Sequence, residues 1–145
     1  MAADLHNFRH RDLTKKIIGV FYDVYNELGH GFLEPVYAAA MLIALKEAGL
    51  RTEIQAPIAD YFRGQRVGDF RADLMVENTV LLELKAARAL DASHEAQLLD
   101  YLRATQIEVG LLLNFGSKPE FKRLAFDNER KKITAEQNPA ADQRR

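Results

Sequence analysis

Glu83-Leu84-Lys85 closes the apolar run Val80-Leu81-Leu82, and Asp73 stands ten positions before Glu83 in another apolar stretch. Side chains two apart on a strand share a face, so this carboxylate and ammonium point the same way. Charge on such a face is costly unless a partner, a metal or a substrate offsets its desolvation. An acid followed by an acid-x-lysine pair suits a hard cation held beside a phosphodiester, because carboxylate oxygens prefer Mg²⁺ or Mn²⁺. Two more groups could join them. Glu34 lies in Gly31-Phe32-Leu33-Glu34-Pro35-Val36-Tyr37, at the start of an expected helix. Gln97 and Tyr101 lie at i,i+4, on one helix face that His94 shares.

Each residue has a plainer reading. Glu83 with Lys85 could be a surface ion pair, and Asp73 an edge-strand charge that discourages aggregation. Glu34 could simply favour a helix N-terminus, and Gln97 with Tyr101 could be a satisfied polar pair at the core edge. Tyr37 is expected to be structural, its ring against the first helix, and His94 to be a partly exposed helix residue. His6, His10 and His30 share no ligand spacing, so no zinc site is assigned. Taken together, the plain readings require several coincidences.

The elements that must position these residues are legible. Ile17, Ile18, Phe21, Val24, Tyr25 and Leu28 recur at helical spacing and predict an amphipathic helix over 13–28, ended by Gly29-His30-Gly31. A second helix is expected over 34–48, with Pro35 in its first turn and Gly49 as its stop. Residues 52–62 read as extended, Pro57 implying an edge position or a bulge. After a turn at Arg63-Gly64-Gln65, alternation over 67–76 places Phe70, Ala72, Leu74 and Val76 on one face and Asp69, Arg71, Asp73 and Met75 on the other. Glu77-Asn78 turns the chain into a strand over 79–85, apolar on both faces and so expected to be central. A helix over 93–104, capped by Asp91 or Ser93, precedes strands over 109–115 and 121–126. The first three strands form an antiparallel meander. The helix then serves as a crossover that makes 79–85 and 109–115 parallel neighbours. The expected class is α/β, a mixed sheet flanked by helices. One domain is expected over 13–127, between an N-terminal segment 1–12 and a polar, mobile tail 128–145.

Composition narrows the setting. A chain of 145 residues, 48% hydrophobic and 28% charged, reads as one soluble globular domain. Without cysteine it has no disulfides and no thiolate metal sites. No apolar run approaches the ~20 residues of a membrane span. Residues 1–12 lack the apolar core of a secretory signal, so the cytoplasm is the expected compartment. A net charge of −1 argues against binding nucleic acid by bulk charge. It leaves room for a local basic groove, since Arg51, Arg63, Arg66 and Arg71 flank the first hairpin. No P-loop or Gly-rich dinucleotide fingerprint is present, so nucleoside-triphosphate chemistry is unsupported. The apolar helical faces are compatible with a homodimer.

The set G-x-x-E, an acid on a Gly-led strand, E-x-K and Q-x-x-x-Y resembles the PD-(D/E)XK nuclease superfamily, and the last element is similar to its RecB-like branch. Gly31-x-x-Glu34-x-x-Tyr37 also resembles the signature of the GxxExxY proteins, placed in the same superfamily. The likeness runs from about residue 13 to 126. It implies a PD-(D/E)XK core and a Mg²⁺- or Mn²⁺-dependent hydrolase of nucleic acid, with DNA the expected substrate. In that reading Asp73 and Glu83 ligate the metal, with the Leu84 carbonyl and Glu34 as further ligands. Lys85 contacts the attacking water or a phosphoryl oxygen, Gln97 orients water or Lys85, and Tyr101 meets a phosphate. The alternative is a catalytically silent module on the nuclease fold that binds nucleic acid or protein. A hydrolase of another phosphate compound is a weaker third.

Overall fold

A computed structural model of the chain describes residues 10–131. The expected N-terminal segment and polar tail fall for the most part outside those residues. Helices α1 (Arg11–Leu28) and α2 (Glu34–Glu47) lead into strands β1 (Thr52–Phe62), β2 (Gln65–Val76) and β3 (Val80–Lys85). Helix α3 (Ala92–Ala104), strands β4 (Val109–Phe115) and β5 (Pro119–Ala125), and a 3-10 turn (Asn128–Arg130) complete the order. The sheet order is β1-β2-β3-β4-β5, antiparallel except for the parallel pair β3–β4. This is the mixed α/β sheet expected from the apolar patterning, with β3 at its centre.

Both turns of the β1-β2-β3 meander use the twist that adjoining strands require. Arg63 and Gly64 have φ of 50 and 76, and Glu77 and Asn78 have φ of 53 and 51. Two successive left-handed residues are the pattern of the tight turn that matches strand twist. Helix α1 buries Ile17, Val20, Phe21 and Val24, and α2 buries Tyr37, Ala38, Met41 and Leu45. These pack on one sheet face against Leu74, Val76, Val80, Leu82, Leu84 and the matching side of β4. Helix α3 covers the other face, where Leu98, Tyr101 and Leu102 meet Leu81 and Leu112. Asp91 caps α3, accepting from the amides of Ser93 and His94, while His94 Nδ1 accepts from the Asp91 amide in return. That reciprocal capping engages His94 in holding the helix start.

One feature of β2 departs from the expected alternation. Ile54 pairs with Leu74 and Ala56 with Ala72, but Gln55, between them, has φ of 56. Leu74 belongs to the core beneath α1 and α2, whereas Ala72 belongs to the core beneath α3. The inward face therefore switches across Asp73. The outer hairpin bends towards α3, where Phe70 packs on Tyr101 with ring centroids 6.0 Å apart. Asp60 of β1 shares a hydrogen bond with Asp100 of α3; burial, then the Asp100 charge, push the Asp60 carboxyl up to about 6.

Two of the close approaches that glycines mark differ in what stands in the way. A Cβ at Gly116 would lie 2.5 Å from the Ala87 carbonyl oxygen, and one at Gly110 would lie 2.8 Å from Leu98 Cδ1. The first obstacle is backbone and the second is the end of a side chain. Gly116→Ala should therefore cost about 1–3 kcal/mol in urea denaturation, and Gly110→Ala, which meets the branched end of the buried Leu98 and not backbone, somewhat less. Equal costs would show that the two contacts yield alike.

The Asp60–Asp100 pair predicts a pH dependence. Asp60 titrates near 3.8 when unfolded and about 6 when folded, so folding takes up a proton between those values. The contribution of the protonated pair is full below about pH 3.8 and is lost as pH rises through about 6. Asp100→Asn removes the opposing charge. The stability of that variant minus wild type should grow from pH 4 to 6, measured by chemical denaturation. A difference independent of pH would remove the pair as its cause.

Candidate active site

Strands β2 and β3 run as a ladder through Val76–Val80, Met75–Leu81 and Leu74–Leu82, and then part. Past that point side chains replace the backbone ladder. Glu83 Oε1 accepts the Asp73 amide at 3.1 Å, and Asp73 Oδ2 accepts the Leu84 amide at 2.7 Å. Each acid thus satisfies a backbone donor that the parting of the strands leaves open. Glu83 is 3% exposed and Asp73 half-buried.

The remaining carboxylate oxygens are different. Among the described residues, neither Glu83 Oε2 nor Asp73 Oδ1 accepts a hydrogen bond. Burial, and then the Asp73 charge, push the Glu83 carboxyl up to about 8. Burial likewise raises the Asp73 carboxyl, with the Glu34 charge adding to it and the Leu84 amide and Lys85 opposing it. The local field is therefore short of positive charge. Bare carboxylate oxygens in a partly desolvated, electronegative corner are donors that fit a hard divalent cation. They do not form a finished cage, since no three His, Cys, Asp or Glu side chains converge as a ligand cluster among the described residues.

Glu34 reaches the same corner from the opposite helical layer. It occupies the first turn of α2, and its Oε2 accepts the Ala86 amide at 3.3 Å. Tyr37 fixes the approach to it: its hydroxyl donates to the Gly29 carbonyl at 2.5 Å and accepts the Phe32 amide at 3.3 Å. The fully buried ring of Tyr37 stacks on Phe115 of β4 at 4.0 Å between centroids. Tyr37 thus ties down the loop that delivers Glu34.

The α3 side supplies a relay of polar contacts. Lys85 Nζ donates to Gln97 Oε1 at 2.9 Å, and Gln97 Nε2 donates to the Tyr101 hydroxyl at 3.3 Å. One turn of helix separates Gln97 from Tyr101, so a single amide bridges both. The structure therefore brings Asp73, Glu83, Lys85, Gln97 and Tyr101 to one corner, with Glu34 at its rim. Of the four hairpin arginines, Arg51 stands apart, paired with Glu77 at 3.0 Å near the base of β1.

One residue escaped the sequence reading. Asn114 is fully buried in β4; its Oδ1 accepts the Ala87 amide at 2.9 Å, and its Nδ2 donates to the Ala87 carbonyl at 3.0 Å and to Glu120 Oε1 at 3.1 Å. The signal was a lone amide in the apolar run Leu111-Leu112-Leu113-Asn114-Phe115, where burial demands partners.

No curated protein matches this chain. Among solved structures, the crystal structure of SSO0001 is similar at 18% identity and a TM-score of 0.47, covering 64% of this chain and 50% of that one. The chain thus spans about half the length of that protein. Residues 11–124 match the PD-(D/E)XK nuclease superfamily, a span that contains every residue of the corner described above and the sheet up to Leu124 of β5. By that match the chain belongs to the PD-(D/E)XK nuclease superfamily.

Proposed function

We propose that this chain is a Mg²⁺- or Mn²⁺-dependent nuclease that hydrolyses phosphodiester bonds, with DNA as its substrate. The observation that carries the reading is Glu83, 3% exposed, with a bare oxygen beside Asp73 and one lysine on its own strand face. Superfamily membership supports a nuclease-type chemistry in which divalent ions are usual.

Asp73 and Glu83 would hold the ion, with Glu34 and the Leu84 carbonyl as further ligands. The bound ion would neutralise phosphoryl charge and lower the pKa of water. Lys85, steered by Gln97 Oε1, presents its ammonium to a phosphoryl oxygen or to the attacking water. Gln97 uses both ends of its amide and so fixes Lys85 relative to Tyr101. The Tyr101 hydroxyl accepts from Gln97, which leaves its own proton to donate to a phosphate. Membership in the narrower GxxExxY group and a cytoplasmic location belong to the same proposal.

A silent binding module is the second reading. It is favoured by the incomplete ligand cluster and by the two acids already serving backbone amides. Lys85 weighs against it, since a purely structural site needs no lysine among carboxylates.

Glu83→Gln keeps an acceptor for the Asp73 amide and removes the charge. It should reduce Mn²⁺-dependent cleavage of DNA by about a hundredfold or more, as should Lys85→Ala, with both variants folded by circular dichroism. Unchanged cleavage in either would defeat the assignment, and a wild type that binds Mn²⁺ but cuts neither DNA nor RNA would favour the silent module.

Metal binding has a readout independent of turnover. Mn²⁺ should raise the melting temperature of the wild type and leave that of Glu83→Gln nearly unmoved, because a ligand stabilises only the state that binds it. Equal shifts in both proteins would place the ion elsewhere.

A further inference from the structure

Immediately beside Glu34 lies a cleft of about 760 Å³, within the roughly 300–1,000 Å³ range of ligand sites. One wall is the start of α2, with Phe32, Leu33 and Glu34; the other is formed by the loops after β3 and β4, with Arg88, Phe115 and Ser117. Its two walls have unlike chemistry. Phe32 is 44% exposed and Leu33 77%, an unusual outlay of apolar surface at a helix start. Across from them, Arg88 is exposed, and among the described residues no carboxylate neutralises it.

Both walls are built to stay in place. Asn114 grips Ala87 through its amide and its carbonyl, so the residue before Arg88 is fixed in two directions. Gly116 lets the second loop touch the Ala87 carbonyl, and the Tyr25 hydroxyl donates to the Gly116 carbonyl at 2.7 Å. Phe32 is steadied from behind by its edge-on contact with Tyr37, at 5.9 Å and 85°, and by its amide bond to the Tyr37 hydroxyl. Buried polar groups spent on holding a surface loop mark that loop as a positioned one.

We infer that this cleft binds an unpaired nucleotide of the strand being cut, its base against Phe32 and Leu33 and its phosphate on Arg88. An exposed aromatic ring and an arginine lining one cleft are the pairing that unstacked bases and their phosphates require. A base within a duplex offers no face to Phe32, so the occupant is single-stranded. The cleft opens on Glu34 and on Ala86, the residue after Lys85, which continues the strand from the corner where the phosphodiester would be cut. Asn114 is then a positioning residue for Arg88. This inference rests on the nuclease reading for its substrate class.

The test is fluorescence anisotropy of a short fluorescein-labelled single-stranded DNA, with Ca²⁺ replacing Mn²⁺ so that binding is read without cleavage. Arg88→Glu and Phe32→Ala should each weaken binding about tenfold, and the wild type should prefer the single strand to the same sequence as duplex. Lys46→Glu, the same charge change in the last turn of α2, should stay within about twofold of wild type. Wild-type affinity in Arg88→Glu, an equal loss in Lys46→Glu, or a preference for duplex would each overturn the inference. A wild type that binds in this pattern yet cuts nothing in Mn²⁺ would keep the cleft and refute catalysis. One that cuts, with Arg88→Glu binding normally, would keep catalysis and refute the cleft.

Discussion

Everything at the candidate site depends on the parting of β2 from β3 after Leu74 and Leu82. A sheet that continued its ladder would pair the Asp73 and Leu84 amides with backbone carbonyls and leave its acids to solvent. Here the strands separate, and the two acids accept those amides instead. An unsatisfied buried amide costs about 1–3 kcal/mol, so each carboxylate is held by a need of the backbone as well as by any catalytic one. The parting coincides with an irregularity one strand further out. Gln55, with φ of 56, breaks the regular course of β1 opposite Asp73, and the hairpin swings to cover α3. A backbone irregularity in an edge strand thus stands directly opposite an acid of the site, as such irregularities often do near functional sites.

Phe115 plays the corresponding part on the other side of the sheet. Tyr37 stacks on it at 4.0 Å, Phe21 meets it edge-on at 5.0 Å and Tyr25 lies parallel at 6.2 Å. Both N-terminal helices are therefore referenced to the last residue of β4. The same strand end carries Asn114, which fixes the loop leaving β3. Because β3 and β4 are parallel, their C-terminal ends lie side by side, and one cluster of contacts can position both Glu34 and the residues after Lys85. Crossover topology, more than any single contact, is what lets a helix on one face and a lysine on the other meet at one corner.

Much of this was legible in the chain. The runs in β3 and β4 are apolar on both faces, which only central strands can be, and the helix between them left a parallel pair as the one simple connection. Turn residues set both hairpins of the β1-β2-β3 meander. The alternation over β2 misled at Asp73, because side-chain parity assumes an unbroken strand and the irregularity resides in a Gln55 backbone angle that glutamine does not advertise. Glu34, Lys85, Gln97 and Tyr101 could be named from spacing, as could the pairing of Gln97 with Tyr101, whereas the partners of the three acids could not. The Ala86 amide and the reciprocal acid–amide pair are visible only in three dimensions. Asn114 was legible in principle, as a polar residue in an otherwise apolar strand, but its partner lies 27 positions away. Strand β5 begins at Pro119, earlier than its apolar residues imply, since an edge strand buries little to announce it.

The charge inventory of the corner bears on how a substrate could enter it. Three carboxyl groups gather around one ammonium, burial and the Asp73 charge push the Glu83 carboxyl up to about 8, and Lys85 is already engaged by Gln97. A phosphodiester approaching such a field is repelled, by roughly 4 kcal/mol per unit-charge pair at 4 Å and an effective dielectric of 20. The bare oxygens of Asp73 and Glu83 make the same point from the protein side, since they lack positive charge as much as the substrate does. One divalent cation would answer both deficits at once, turning two repulsions into attractions without any rearrangement of the backbone. The near-neutral charge of the whole chain then ceases to argue against an anionic substrate. Attraction need not be spread over the surface when it is supplied at one corner by an ion, with an exposed arginine in the adjoining cleft to receive the neighbouring phosphate.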